Sequence, residues 1–213
     1  MMKTADIYEQ LRAKYQRDEF VGNTVEIIGA TFIADEATII PDRPPNMSYI
    51  KREYEWYESQ STNIYDIRGK TPQAWIRSAD PSGEINSNYG YLIYSDDYHN
   101  QYRQAIRELK RNPDSRRACM VYQRPSIWKD YCENGKNDFI CTYGVTYHIR
   151  DDKLHAHVLM RSNDAVFGYP NDFAWQKKVL YDMCVDMNID MGDIVWTASS
   201  LHVYEPFYKY LKR

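Results

Sequence analysis

Cysteine is scarce in this 213-residue chain, and its four cysteines form neither a CxxC pair nor a zinc-ligand spacing. The sequence therefore predicts no disulfide framework and no metal site, and reduced thiols favour a cytoplasmic protein. A hydrophobic run long enough to cross a membrane is also missing, and the first ten residues contain no signal-peptide core. We expect no membrane association.

Positive charge is not in excess, because 27 Lys and Arg residues stand against 30 Asp and Glu residues, which gives a net charge of −3. This balance excludes the broad basic surface of a typical nucleic-acid-binding protein, so we predict no direct contact with nucleic acid. It is compatible with a small anionic metabolite held by a few local arginines. The 20 tyrosines favour a site whose walls are apolar and carry polar tips.

The length and the hydrophobic pattern predict a single α+β domain over residues 1–213. Alternating or β-branched apolar residues predict strands at 24–34, 117–122, 140–149, 154–160 and 193–204. Helices are expected at 51–58 and around Trp75. Three more helices are expected to start at caps formed by Thr4, by Ser95 and by Asn171 or Asp172.

The strands predicted at 140–149 and 154–160 form a hairpin that is followed by a helix. Cys141 falls near the start of the first strand, on its apolar face, Arg161 ends the hairpin, and Asp172 opens the helix. A thiol, a guanidinium and a carboxylate at the edges of one compact unit suggest a functional site. Each residue alone has a plainer interpretation, as a core thiol, a structural ion pair and a helix cap.

Several motifs occur in the order and at the spacing of the thymidylate synthase family. They are PDSRR at 113–117, Cys141, RSNDAVFG at 161–168, PND at 170–172 and LHVY at 201–204. The chain resembles this family over essentially its whole length, which implies a mixed β-sheet flanked by helices. The resemblance extends to the branch of deoxycytidylate (dCMP) 5-hydroxymethylases of T-even-type bacteriophages, through VEIIGATFIADE, EYEWY, GEINSNYG and NDFAWQKKVL.

The resemblance implies that Cys141 adds as a thiolate to C6 of a pyrimidine nucleotide and so makes C5 nucleophilic. Glu53 is expected to organise water and proton transfers, and Tyr89 is expected to assist at the C5 proton. The one-carbon unit comes from 5,10-methylenetetrahydrofolate, and water completes the reaction in the hydroxymethylase branch. Considered alone, the acidic segment 51–58 would be only a solvated helix face.

The resemblance also implies a shared phosphate site. Arg161 and Ser162 hold the phosphate of dCMP, while Arg116 and Arg117 reach across from a second subunit. Crossed arginines require a homodimer, in the cytoplasm of an infected bacterium if the chain is phage-encoded. Without the resemblance, the pair at 116–117 would be surface charge.

The other implied binding residues divide between nucleotide and folate. Those on the nucleotide side are Asn163, His202 and Tyr204, the last two placed to bond the sugar 3′-hydroxyl. Those on the folate side are Trp75, which stacks, Asp164, which bonds the pterin, and Gly168. Considered alone, the histidine would be a satisfied core or loop residue.

Asp172 decides between uracil and cytosine. Thymidylate synthases carry an asparagine there, which matches N3–H and O4 of uracil. An ionised carboxylate can only accept hydrogen bonds, so it suits the exocyclic amino group of cytosine and can hold N3 protonated. Facing uracil O4 it would leave a buried pair unsatisfied, at about 1–3 kcal/mol, or roughly ten- to a hundredfold in selectivity.

Two departures from the family pattern bear on this interpretation. The segment 17–24 looks shortened, with Glu19 where a cation is expected and Arg17 nearby. The chain ends soon after 201–204, and a short tail is expected to leave the site wetter, which favours water capture over hydride transfer.

Three alternatives stay open. The first is a related C5 methylase or hydroxymethylase that acts on dUMP or CMP. The second is a non-catalytic subunit of a phage nucleotide-synthesis complex, against which an intact set of Cys141, Glu53 and arginines argues. The third is a folded domain with a core cysteine. An association with other phage nucleotide-synthesis enzymes is open as well.

Overall fold

The computed structural model describes residues 1–212 and contains one six-stranded sheet. Its strands in chain order are β1 (Phe20–Val21), β2 (Thr24–Ile33), β3 (Cys119–Val121), β4 (Thr142–Arg150), β5 (Lys153–Asp164) and β6 (Asp190–Tyr204). Their spatial order is β1-β2-β6-β5-β4-β3, and only the β5–β6 pair is parallel. The prediction of a mixed sheet with flanking helices is therefore confirmed.

Seven α-helices accompany the sheet within residues 1–212. They are α1 (Thr4–Gln16), α2 (Met47–Ser59), α3 (Gln73–Ser78), α4 (Tyr89–Tyr94), α5 (Gln101–Arg111), α6 (Ile127–Asp130) and α7 (Gly168–Met187). Short 3₁₀ turns occur at Ile64–Asp66, Asp96–Tyr98, Glu133–Gly135 and Glu205–Tyr210. The buried hydrophobic side chains form one core cluster between the helices and one face of the sheet. None of the helices described is long and apolar enough to cross a membrane.

The predicted hairpin of β4 and β5 is present, and its tight turn has left-handed backbone at both Asp151 and Asp152 (φ 50° and 56°). Such turns match the twist of the flanking strands. Helix α7 then connects β5 to β6 in a β-α-β unit. The last residues of the two strands lie side by side, with Ser162 opposite Ser200 and Asp164 opposite His202.

The alternation predicted for 140–149 is wrong at its beginning. The register between β4 and β5 shifts between Thr142 and Gly144, which is a β-bulge. An extra residue reverses which side chains face the core. Thr142 is therefore fully buried and Tyr143 is 46% exposed, while Cys141 lies just before the strand and is half-buried.

Two predicted helix starts are displaced. Thr4 is the first helical residue of α1 rather than its cap, because its backbone N–H donates to the side chain of Asp35 at 3.1 Å. Ser95 precedes only the 3₁₀ turn at Asp96–Tyr98. The helical backbone is interrupted at His99 and Asn100, which both have positive φ. The Asn100 side chain then caps α5.

The third helix start was also misplaced. Helix α7 begins at Gly168, so Asn171 and Asp172 lie inside it and neither is its cap. Pro170 does not stop the helix, because the first-turn N–H groups have no partner within a helix. The sequence pattern did not predict α4. Asn88 caps this helix, because its side chain accepts a hydrogen bond from the Tyr91 N–H at 2.8 Å.

Helices α2 and α4 touch through their backbones. A Cβ atom on Gly90 would lie 1.8 Å from the carbonyl oxygen of Tyr57, so only glycine permits this approach. The contact sets the first residue of α4, Tyr89, against α2, where its ring stacks on that of Tyr57.

The sheet face opposite the helices remains open. Alternate strand residues point there and leave apolar side chains exposed: Ile28 by 72%, Val121 by 52% and Leu159 by 36%. His157 and Thr197 lie half-buried on the same face and share a hydrogen bond. Its exposed apolar side chains are relevant to whether the protein forms an oligomer.

Candidate active site

The candidate site lies at one end of the sheet, where β5 and β6 finish and β4 begins. Antiparallel pairing places Thr142 opposite Met160, so Cys141 is next to Arg161. Helices α4 and α7 pack against strands of the sheet, and α2 packs against both of these helices, so all three bring side chains to this end.

Cys141 is in direct contact with Arg161. Nη2 of the guanidinium lies 3.5 Å from the Cys141 Sγ and donates to the carbonyl oxygen of Phe139 at 2.6 Å. Nε of Arg161 donates to the carbonyl oxygen of Ile140 at 3.0 Å. The guanidinium is thus anchored to the main chain that leads into the thiol, and its position is fixed before any anion arrives.

Burial raises the pKa of the Cys141 thiol to about 11. The Arg161 guanidinium opposes this shift, whereas negative charge on Asp172 or Asp138 would add to it. The thiol therefore holds its proton near neutral pH, and a nucleophilic role requires that the proton be removed as the substrate binds or reacts.

Glu53 is buried, at 4% exposure, and does not lie on a solvated face of α2. Its Oε1 accepts a hydrogen bond from the Tyr49 hydroxyl at 2.5 Å and one from the Trp75 Nε1 at 3.3 Å. Burial raises the pKa of Glu53 to about 7, and the two donors oppose that rise. A carboxyl in this range can take up or release a proton at neutral pH.

Asp172 projects from α7 toward the same space. Its Oδ2 accepts a hydrogen bond from the Nδ2 of Asn163 at 2.7 Å. Burial, with the charge of Glu53 second, raises the pKa of Asp172 well above its usual value, which favours the protonated carboxyl group. The buried Oδ1 of Asn163 has no partner within residues 1–212. Gly168 lies close to this pair, and a Cβ atom on it would be 3.4 Å from the Asn163 amide.

Tyr89 is buried at the start of α4, between Tyr57 and Tyr122. Burial raises its pKa well above the usual value, and the charges of Asp172 and Cys141 act in the same direction. The hydroxyl therefore keeps its proton. These electrostatic effects link Tyr89 to Asp172 on α7 and to Cys141 just before β4.

Three predicted residues gather at the ends of β5 and β6. Asp164 accepts a hydrogen bond from the Val166 N–H at 2.8 Å, and burial raises its pKa. His202 is buried and packs edge-on against the ring of Tyr204, with centroids 4.8 Å apart. Burial lowers the pKa of His202, which favours the neutral imidazole as a hydrogen-bonding partner. Ser162 is half-buried beside them.

Arg116 and Arg117 are not brought to this cluster within residues 1–212. Both are exposed and precede β3, at the far edge of the sheet. Arg117 forms an ion pair with Glu108 of α5, with Nη2 3.0 Å from Oε1. Glu19 is likewise engaged locally, because Lys14 and Arg17 both donate to it and hold its pKa at about 2.

Two residues of the site were not anticipated. Tyr49 lies one helical turn before Glu53, a spacing that could have indicated it. Asp138 is a buried carboxylate three residues before Cys141. It accepts hydrogen bonds from the Asn86 N–H at 2.6 Å and from the N–H and hydroxyl of Ser87. No sequence motif indicated this link.

An open cleft of about 780 Å³ adjoins Arg161. Aromatic side chains form much of its wall, including Trp128, Phe139 and Tyr143. In the described part of the chain, no three His, Cys, Asp or Glu residues are grouped to hold a metal ion. The site thus offers a thiol, carboxyl groups and arginine for its chemistry.

Comparison with known proteins assigns the class. The thymidylate synthase family model matches residues 4–213. The deoxycytidylate 5-hydroxymethyltransferases of Enterobacteria phages T4, T2 and T6 are each 50% identical to this chain over 188 residues, which is 85% of the chain and 76% of the relative. The chain belongs to the thymidylate synthase family.

More distant relatives agree with this assignment. A thymidylate synthase of Francisella tularensis subsp. holarctica is 24% identical over 165 residues, 73% of this chain and 60% of that protein. Thermostable thymidylate synthase A from Bacillus subtilis has the same fold, with a TM-score of 0.75 at 19% identity over 99% of this chain and 83% of that chain.

The raised pKa of Cys141 predicts slow alkylation at neutral pH. Between about pH 7 and about pH 10, iodoacetamide labelling of Cys141 should accelerate about tenfold per pH unit without levelling off, because only the thiolate reacts. The variant Arg161→Met should react several-fold more slowly at a fixed pH, because the cation that stabilises the thiolate is gone.

Peptide mass mapping separates Cys141 from the other thiols, and Cys141→Ala identifies its peptide. The exposed Cys119 and Cys132 serve as internal references. A labelling rate that reaches a plateau near about pH 8 would contradict the raised pKa.

Proposed function

We propose that this protein is a deoxycytidylate 5-hydroxymethyltransferase. It transfers a one-carbon unit from 5,10-methylenetetrahydrofolate to C5 of dCMP and adds water to give 5-hydroxymethyl-dCMP. The observation that carries the proposal is the buried carboxyl group of Asp172, which accepts a hydrogen bond from Asn163 and whose charge would act on the Cys141 thiol. Half of the aligned residues are identical to those of phage enzymes with this name. The catalytic domain is taken as residues 1–213.

Asp172 suits cytosine through its proton. Cytosine N3 carries no hydrogen, and its exocyclic amino group donates. A protonated carboxyl can give its hydrogen to N3 while its other oxygen accepts from the amino group. Transfer of that proton to N3 leaves a carboxylate facing a cation-like ring, which stabilises charge that develops when C6 is attacked. Asn163 holds one oxygen of this carboxyl group in place.

Cys141 supplies the nucleophile and Arg161 prepares it. The thiol loses its proton, adds to C6 through sulfur and turns C5 into a nucleophilic carbon. Arg161, held by the carbonyl groups of Phe139 and Ile140, stabilises the thiolate and offers its remaining donors to the nucleotide phosphate. Ser162 adds a hydroxyl donor, and His202 with Tyr204 bonds the sugar.

Folate supplies the one-carbon unit when it is bound. The residues present fit it: Trp75 is half-buried and offers an aromatic face, and Asp164 offers a carboxyl group that can accept from pterin N–H groups. Gly168 keeps the wall between Asp164 and Asp172 free of a side chain.

Glu53 and Tyr89 handle the protons that follow. After C5 has accepted the one-carbon unit, loss of the C5 proton and expulsion of tetrahydrofolate leave an exocyclic methylene. Water must then add to this methylene, and departure of the Cys141 sulfur from C6 releases the product. The pKa of Glu53, about 7, allows its carboxyl group to orient and deprotonate that water. Tyr89 keeps its own proton and therefore serves as a hydrogen-bond donor near C5.

A homodimer would complete the phosphate site. Arg116 and Arg117 are exposed at the far sheet edge, where they do not reach Cys141 of their own chain. The apolar sheet face with Ile28 and Leu159 is the kind of surface that a second copy covers. The cleft beside Arg161 leaves room for a partner's arginines.

Product analysis tests the whole proposal. Purified protein given methylenetetrahydrofolate with dCMP, CMP and dUMP in competition should form 5-hydroxymethyl-dCMP, measured by mass spectrometry. Cys141→Ala should form no product while it still binds dCMP. A methyl product with dihydrofolate would overturn the water step, and conversion of dUMP or CMP in preference to dCMP would favour the related-substrate alternative.

Asp172→Asn should shift selectivity from dCMP toward dUMP by roughly ten- to a hundredfold. An amide cannot transfer a proton to cytosine N3, whereas uracil N3 already carries its hydrogen. The ratio of kcat/KM values for the two nucleotides measures the shift. Asp164→Asn, which changes a neighbouring carboxyl group, should leave that ratio unaltered; equal ratios in both variants would refute the role of Asp172.

Subunit mixing tests the shared site. Cys141→Ala and Arg117→Ala proteins should each be weakly active or inactive, and isolated mixed dimers should regain up to about half of wild-type activity through the one intact site of two. Co-expression with two different affinity tags isolates the mixed dimer. Absence of any recovery in isolated mixed dimers would contradict crossed arginines.

A further inference from the structure

Tyr49 has no role in the mechanism above, yet it is at the centre of a closed hydrogen-bond triangle. Its hydroxyl donates to Oε1 of Glu53 at 2.5 Å and accepts from Nε1 of Trp75 at 2.8 Å. The same Nε1 lies 3.3 Å from Oε1. The triangle joins the residue expected to handle water to the residue expected to face folate.

Both donors converge on a single oxygen of Glu53. Its other oxygen, Oε2, accepts no hydrogen bond from residues 1–212. A carboxylate held at one oxygen by two donors from two helices cannot rotate freely, so the unbonded oxygen keeps a fixed direction. Tyr49 contributes the shorter of the two bonds.

We propose that Tyr49 is a positioning residue that holds Glu53 by Oε1, leaves Oε2 to act on the nucleotide and water, and ties this carboxyl group to Trp75. The inference rests on the proposed function, because it assigns Glu53 its task in that reaction. It adds a residue one helical turn away whose hydroxyl sets the orientation and ionisation of the carboxyl group.

The electrostatics of the triangle agree with this geometry. Burial raises the pKa of Glu53 to about 7, and the hydrogen bond from Tyr49 is the largest effect that opposes it, followed by that from Trp75. Burial and the charge of Glu53 raise the pKa of Tyr49 itself, so its hydroxyl remains a donor.

Few other charged or titratable groups affect this carboxyl group. Those that face Glu53 or the Tyr49 ring are Tyr54 and Tyr57 on α2, Asp172 on α7, and Arg52, whose guanidinium lies over the Tyr49 ring at 5.5 Å. Loss of the Tyr49 hydroxyl should therefore raise the pKa of Glu53 further. The carboxylate, which acts above that pKa, would then be lost at a higher pH.

Tyr49→Phe separates positioning from packing, because it keeps the ring and its contact with Arg52 and removes only the hydroxyl. Tyr54→Phe is the matched control: it removes a hydroxyl from the same helix that makes no hydrogen bond to Glu53 among the described residues. Both variants should bind dCMP with the wild-type affinity within about twofold, since neither residue contacts Cys141 or Arg161.

The first readout needs neither folate nor turnover. Carboxyl ¹³C NMR of glutamate-labelled protein, with the Glu53 resonance identified by its absence in Glu53→Gln, gives the pKa of Glu53. Tyr49→Phe should raise it by about one unit or more, which corresponds to one hydrogen bond to a charged group. A shift no larger than that of Tyr54→Phe would overturn the proposal.

The second readout is the pH profile of kcat for 5-hydroxymethyl-dCMP formation. Its acid limb should move to higher pH in Tyr49→Phe by the shift found by NMR, and it should not move in Tyr54→Phe. An unmoved limb beside a shifted pKa would show that Tyr49 does not act through Glu53. A wild-type protein that converts no pyrimidine nucleotide would overturn the proposed function, while the NMR titration would still decide whether Tyr49 controls Glu53.

Discussion

The parallel pairing of β5 with β6 is the constraint on which the site depends. Every other neighbouring strand pair within residues 1–212 is antiparallel, so β5 and β6 are the one neighbouring pair described there that finishes at the same end of the sheet. The parallel pair requires a crossover, and α7 provides it. The first turns of α7 lie at the same end of the sheet and bring Asp172 beside Asn163. Antiparallel pairing of β4 then sets Cys141 next to Arg161.

Several ionisable groups lie together at this end of the sheet, with few opposite charges near them. Burial is the largest influence on Cys141, Glu53, Asp164 and Asp172, and it raises the pKa of each. Carboxyl groups that serve only structure usually have lowered pKa values, because they are paired. Arg161 lies against Cys141, and it already donates to two main-chain carbonyl groups. Each of these groups is therefore a weaker acid than usual, and a substrate that changes its surroundings changes its tendency to ionise.

The sequence was sufficient to predict the mixed sheet and the hairpin, and most of the residues that it singled out lie at one end of this sheet. Alternating or β-branched apolar residues predicted the strands, and the family motifs marked the positions at which β5 and β6 end. What could not be predicted depends on tertiary contacts. The bulge at Thr142–Gly144 changes the face on which Cys141 lies, and no periodicity shows a bulge in advance. The burial of Glu53, in a segment with three glutamates, comes from packing of α2 against other helices. Tyr49 was missed although it lies one helical turn before Glu53. Asp138 was missed because its hydrogen bonds to Asn86 and Ser87 join separate segments and leave no trace in local spacing.

Gly90 gives α2 and α4 a direct backbone contact at Tyr57, without side chains between them. Glu53 belongs to one of these helices and Tyr89 to the other, whereas Cys141 belongs to the sheet. Two helices in backbone contact move together, because no flexible side chain absorbs their displacement. The backbone contact therefore holds Glu53 and Tyr89 at a set spacing, whereas the end of the β4–β5 pairing holds Cys141 against Arg161.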